Sequence, residues 1–331
     1  MTVTEVPAAP AAGPPAAGCP RCGAGYPCGC RPPRRRRSRI GVAGAVLVGT
    51  FLLVAVLSPY LAPFRVTEIA GDPIAPPGGR NWLGTTRIGY DVASQLLAGT
   101  RASVLVALLG GGGTLVLGGL AGMVAGWFGG RVDTVVMRLV DVVLVLPKLP
   151  LLIVASAYVG PDIEATAAVI ALVFWPNSAR VVRMQVLALR HRAHVEAAVG
   201  FGAGAVHVLR RHVVPEISLV LVAGFVAAAN RAVTFEAGLA FLGLGDPIRA
   251  SWGAMIRDSV LYPGLFMSKA WTWWFLPPVV CLVLLLLGLS FLGMAVEERL
   301  HPRLARHTTA GRRLSGPAPA HAVELVGGAT P

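Results

Sequence analysis

Six long apolar runs dominate this chain and fix the solvent in which it folds. They cover about Ile40–Tyr60, Ser103–Gly126, Val135–Val159, Ile163–Ala179, Ile217–Ala240 and Leu276–Val296. A helix needs about 20 apolar residues to cross the hydrocarbon of a bilayer. Only the fourth run, which contains Pro176, is short of that. Charged residues make up 14% of the 331 residues, where a soluble domain carries about 25%. With 40 Gly and 26 Pro but no three-residue Gly period, a collagen-like chain is excluded. The expectation is an all-α membrane protein with six transmembrane helices.

The cations orient those helices. The formal net charge is +13, which in a soluble protein would point to nucleic acid. In a membrane protein it reflects the excess of Lys and Arg on cytoplasmic loops. With the N-terminus inside, the segments 1–39, 127–138, 180–212 and 297–331 hold 20 Lys and Arg, and the outside segments hold 7. All 7 His lie in the inside segments. Both termini are therefore expected in the cytoplasm. Trp271, Trp273 and Trp274 precede the last run, as an interfacial belt on the outer side would.

Residues 1–39 have no hydrophobic period, are rich in Ala, Pro, Gly and Arg, and read as a disordered cytoplasmic tail. The run Arg34–Arg37 would lie on anionic lipid. A signal peptide is disfavoured, since no small-residue cleavage site follows the first apolar run. Cys19, Cys22, Cys28 and Cys30 sit within CPRCGAGYPCGC. Four thiolates offer a tetrahedral zinc site; incidental thiols in a reduced tail are the competing reading. Cys281 lies alone in an apolar run and reads as a packed small hydrophobe. Residues 40–300 form the membrane domain, and 301–331 a flexible cytoplasmic tail.

Glycines mark close packing. Gly118, Gly122 and Gly126 recur every four residues, which strips one helix face of side chains and lets another helix approach. The run Gly110–Gly113 weakens its helix and reads either as a tolerated flexible stretch or as a hinge. Enzymatic motifs are missing. Neither lysine is followed by Ser or Thr, so there is no Walker A loop, and no HExxH or GxSxG occurs. Residues Gly200 to Ala205 fit GxGxxA, but they lack a preceding strand and a following acidic residue, so the dinucleotide reading fails on context.

The segment from Ala179 to Ile217 carries the functional argument. Val182, Val186 and Leu189 share a helical face, and the helix is expected to continue through Glu196-Ala197-Ala198, with Glu196 pairing Arg192. Gly200, Gly202 and Gly204 end it. A second short helix is expected over Ala205–His212, and Pro215 suits the first turn of the next span. The product is helix, Gly turn, helix, lying beside the membrane as a docking element.

At these residues the sequence resembles the inner-membrane permease subunits of binding-protein-dependent ABC importers. Glu196-Ala197-Ala198, then Gly202, then Pro215 looks like their EAA loop, here at about residues 180–215. The stretch Arg211-His212-Val213-Val214-Pro215 is similar to the dipeptide, oligopeptide and nickel branch. Gly84-Thr85, Gly89, Asp91 and Arg101 resemble the segment before the second span. Gly126 to Asp141 resembles the following cytoplasmic turn. Glu236-Ala237, Phe241 to Gly245 and Ser251-Trp252-Gly253 resemble the end of the fifth span and its outer loop. The likeness runs over about residues 40–305. The chain departs from it at Val213 and Val214, at Thr86 and Arg87 where acidic residues are common, at Lys148, at Arg231, and in the Cys-rich tail.

The resemblance implies a permease that pairs with a second permease subunit, two ATPase subunits and an extracytoplasmic substrate-binding protein, in the inner membrane. ATP and magnesium would bind in the partners, and this chain would not itself be an enzyme. Glu196, Ala197, Ala198, Gly202, Arg211, His212 and Pro215 would form the ATPase-coupling loop. Arg231 and Glu236 are ionisable groups inside a span and candidates for the translocation pathway; a structural pair, or contact of Arg231 with Asp141 or a partner chain, is the other reading. Lys148 could snorkel. The expected function is ATP-driven import of di- or oligopeptides. The alternatives are nickel or another small solute, or a membrane sensor or scaffold with a metal-responsive Cys tail.

Overall fold

The computed structural model describes residues 39–300; the cluster Cys19, Cys22, Cys28 and Cys30, the arginine run and segment 301–331 lie outside the described residues. The elements in order are α1 (Arg39–Leu61), α2 (Val92–Phe128), α3 (Gly130–Val145), α4 (Lys148–Val159), α5 (Ile163–Arg190), α6 (Ala193–Gly200), α7 (Ala205–Val208), a π-turn (Leu209–Val213), α8 (Val214–Phe241), α9 (Trp252–Val260) and α10 (Leu276–Leu300). Among the described residues, β structure is limited to isolated bridges in the α1–α2 loop. Five helical runs are long and apolar enough to cross a bilayer, and the bent pair α3–α4 passes the same test when taken together, as a broken span or a re-entrant loop. The chain is an all-α membrane protein.

Helix α2 is the axis of the fold, flanked by α5 and α8. Added Cβ atoms at Gly118 and Gly122 would strike the carbonyls of Trp175 and Ala179 on α5, and one at Gly126 would strike Val186. The bare face expected from the four-residue repeat is therefore where α5 lies. The run Gly110–Gly113 does not interrupt α2. Gly111 backs onto Ala229 of α8, and Gly113 onto Ala171 of α5. These glycines form a seam between three helices.

The observed boundaries depart from the apolar runs for local reasons. Helix α2 begins at Val92, well before Ser103, because the Asp91 carboxylate accepts hydrogen bonds from the Ser94 amide (2.8 Å) and hydroxyl (2.7 Å). This is an N-cap, and it starts the helix outside the apolar slab. The third run is broken: α3 and α4 meet at 92°. Pro147 holds Leu146 in the extended region (φ −68, ψ 134), which ends α3. Pro176, by contrast, stays inside α5, which continues to Arg190; its neighbours Phe174 and Trp175 are buried and hold the helix through the lost hydrogen bond.

The tryptophan belt is corrected. Trp274 is fully buried, beside Trp252 and Leu265 in the main apolar cluster. Trp273 packs under Gly84 of the α1–α2 loop. Only Trp271 is exposed. The loop, stitched by Thr85 to the Asp72 carbonyl and the Ala75 amide, folds over these rings. The Thr86 hydroxyl accepts from the amides of Tyr90 (3.1 Å) and Ile88 (3.4 Å).

Candidate functional site

The Phe128 end of α2, the Arg190 end of α5 and the Val214 end of α8 converge on one apolar knot. Val182, Val186 and Leu189 of α5 meet Val213 and Ile217, with Met123 and Trp127 of α2 packed alongside. Arg190 donates to the Trp127 carbonyl (3.0 Å), a cation at the end of a helix whose last carbonyls carry partial negative charge. Arg183 grips Asp133 of α3 with two hydrogen bonds, at 2.5 and 2.6 Å. Arg180 pairs with Asp141 at 2.5 Å. Asp141 is therefore taken by α5 and does not meet Arg231.

On this base stands the elbow. The expected continuous helix through Glu196 is corrected: α5 stops at Arg190 and α6 starts afresh at Ala193. Arg192 is the residue before α6 and lies outside the helical register. It pairs with Glu216 (3.1 Å), not with Glu196. His194 Nε2 reaches the other Glu216 oxygen at 3.1 Å. Glu216 thus ties the start of α6 to the start of α8. Val195 and Val208, one on each arm of the elbow, are both buried.

Helix α6 ends in a hydrogen-bonded αL turn. The Gly202 amide donates to the Val199 carbonyl (2.9 Å), and the Ala203 amide to the Ala198 carbonyl (3.1 Å). This is the paired Schellman pattern, which requires a left-handed residue just past the helix. Gly202 supplies it with φ +86. No atom lies within 4 Å of where its Cβ would be, so backbone conformation alone demands glycine.

The second arm is corrected too. Residues 205–241 form one apolar rod through α7, the π-turn and α8. The wide turn Leu209–Val213 comes where Pro215 lacks an amide and its ring would meet the Arg211 carbonyl. Arg211 is exposed, and His212 lies among His194 and His207 with ring centroids 6.2 and 6.4 Å away. Glu196 and Ala197 are exposed, and Ala198 is half-buried. Two residues that sequence reasoning missed stand out at the tip: Phe201 is 92% exposed and Val206 79%. Their signal was available as apolar residues flanking glycines in a polar loop, but exposure is not a property of spacing.

The structure separates Arg231 from Glu236. Glu236 is buried, with Ser251 beside its carboxyl and Oε2 unpaired among the described residues. Arg231 lies on the more open side of α8. At the end opposite the elbow, a cleft of about 280 Å³ opens between the α1–α2 loop and the α8–α9 loop, lined by Arg87, Tyr90, Asp246, Arg249, Arg257 and others. Arg249 bonds Glu164 of α5 at 2.7 Å, and that carboxylate pushes its guanidinium above the usual range.

Comparison with known proteins decides what this architecture is. Residues 118–306 match the family described as the inner membrane component of binding-protein-dependent transport systems. The chain belongs to this family. The match covers the elbow and the spans on both sides of it. The chain is 35% identical over 272 residues to a protein of Brucella suis named as a peptide permease, spanning 81% of this chain and 88% of that one. It is similar to a dipeptide transport system permease protein of Bacillus subtilis, 29% identical over 275 residues (82% and 85%). It is also similar to a protein of Escherichia coli named for D,D-dipeptide transport, 30% identical over 268 residues (80% and 88%). A multi-pass permease of a transport system is thus a component that conducts solute.

Proposed function

We propose that this chain is the peptide-conducting permease subunit of an ATP-driven importer in the cytoplasmic membrane, with both termini inside. The elbow carries the reading. Its tip presents Phe201, Val206 and Glu196 to solvent on a short helix locked by Gly202, and its second arm is continuous with the membrane rod. A rigid knob joined to a spanning helix passes motion from a partner into the membrane. An ATPase subunit receives the knob, ATP and magnesium bind there, and a second permease subunit and a second ATPase complete the complex. A binding protein delivers solute at the end that holds the cleft. Glu196, Ala197, Ala198 and Gly202 form the contact. Arg211, His212 and Pro215 set the arm behind it. The names of the relatives favour peptides over nickel or a sensor role.

The test is co-purification with the ATPase subunits, together with uptake of a labelled dipeptide by the assembled importer. Glu196→Lys, Gly202→Pro and Phe201→Ser should each weaken ATPase association and uptake while leaving membrane insertion intact. Normal association and uptake in all three would overturn the assignment of the elbow.

A further inference from the structure

Arg231 and Lys148 are cations inside the spans, and no carboxylate among the described residues compensates them. The carboxylates of the neighbouring spans are engaged: Asp133 with Arg183, Asp141 with Arg180, Glu164 with Arg249. Glu236 faces Ser251 on the buried side of α8. Arg231 Nε is shielded from solvent and has no hydrogen-bond partner. Lys148 Nζ lies 5.1 Å from the centre of the Phe174 ring, a contact worth about 0.5–2 kcal/mol that leaves its charge unneutralised. A lone cation at membrane depth is costly and marks a pathway or a partner.

An aromatic pair links the two cations. Phe174 packs on Phe235 of α8 with ring centroids 4.8 Å apart, and Arg231 is one turn before Phe235, so the cations flank the same aromatic pair. At 1.5 Å per residue, Arg231 lies about 15 Å from the Phe241 end of α8, half the thickness of a hydrocarbon layer of about 30 Å, and Lys148 opens α4 at the break. Finally, Arg231 belongs to a stripe, Ala227, Arg231, Thr234 and Gly238, that the rest of the chain leaves partly or fully uncovered. A face that met lipid would carry bulky apolar side chains. The break at Leu146–Pro147 is also uncovered, and irregular backbone at this depth is tolerated against protein or a water-filled cavity.

We infer that Arg231 and Lys148 form a carboxylate-binding station in the conduction path, which engages the free C-terminal carboxylate of a peptide in transit. The station rests on the peptide reading above. It selects on the permease side, after the binding protein has released its solute.

The complete importer in proteoliposomes tests this, with its binding protein loaded to saturation by a labelled tripeptide in free-acid or C-terminal amide form. The wild type should turn over the acid faster than the amide. Arg231→Gln and Lys148→Gln should each reduce that preference about tenfold, the scale of one charge-assisted hydrogen bond, while Arg231→Lys and Lys148→Arg largely keep it. An acid-to-amide ratio unchanged in both Gln variants, with uptake intact, would overturn the station and leave the peptide reading standing. Loss of association with the second permease in Arg231→Gln, with the ratio unchanged in Lys148→Gln, would overturn it in favour of a subunit pair. A wild type that takes up neither form would overturn the peptide reading and the station with it.

Discussion

Gly202 and Gly118 are both positions closed to side chains, for opposite reasons. Gly202 has open space around it but a left-handed backbone (φ +86). Gly118 has helical backbone, but the Trp175 carbonyl and Ser178 occupy the place of a side chain. Gly202→Ala should therefore cost about 1–2 kcal/mol locally, the left-handed penalty, and weaken the elbow. The thermal midpoint of the detergent-solubilised chain should hardly move, because the tip carries no core. Gly118→Ala should lower that midpoint, since it forces the α2–α5 backbones apart, and overpacking costs about 1–3 kcal/mol. Equal midpoints for the two variants would contradict this distinction. The glycine repeat showed Gly118 in the sequence. The role of Gly202 was legible as a helix stop, but the hydrogen bonds that make it irreplaceable depend on where α6 begins.

At the scale of elements, α5 organises the half of the molecule that carries the elbow. It backs α2 along its glycine face, holds α3 through Arg180 and Arg183, and ends under the elbow. The Arg183–Asp133 pair is mostly buried (26% and 19% exposed) and bidentate, so it fixes α3 against α5 more firmly than a surface pair would. Replacing Arg183 with Gln and Asp133 with Asn, singly and together, should give a coupling between about 0.5 and 3 kcal/mol in a double-mutant cycle. The same cycle on Arg180–Asp141, whose side chains are 54% and 49% exposed, should give less. A larger coupling at the exposed pair would refute the ranking. The apolar run marked the membrane-crossing part of α5 and the shared face of Val182, Val186 and Leu189 marked its extension, but the stop at Arg190 was not legible, because helical periodicity resumes in α6. The α3–α4 break was hidden because a Pro inside an apolar run can kink, break or be absorbed; Pro147 breaks its span and Pro176 does not.

For the whole molecule, the chain presents two ends of different chemistry. One is an elbow with an apolar tip and basic flanks. The other is a loop layer folded over buried tryptophans. The proposed topology, argued from the charge asymmetry of the loops, puts the elbow in the cytoplasm. Single cysteines at Val206 and Trp82, both strongly exposed, in a background without native cysteines, check this with a membrane-impermeant thiol reagent. The Val206 site should react only in inside-out vesicles, and the Trp82 site only in right-side-out cells. The reverse pattern would invert the topology.

The sequence by itself settled the solvent, the helical class, the bare face of α2 and the ordered landmarks of the elbow. Those properties depend on local composition and on spacing along one element. Tertiary structure alone decided which charges are paired, where helices end beyond the apolar slab, and which rings are buried. Glu216 takes Arg192 from Glu196, Asp141 goes to Arg180, and Trp274 turns inward. Each outcome depends on which distant segment the fold brings within a few ångströms. Ion pairing and burial are properties of three-dimensional neighbours, and no periodicity along the chain encodes them.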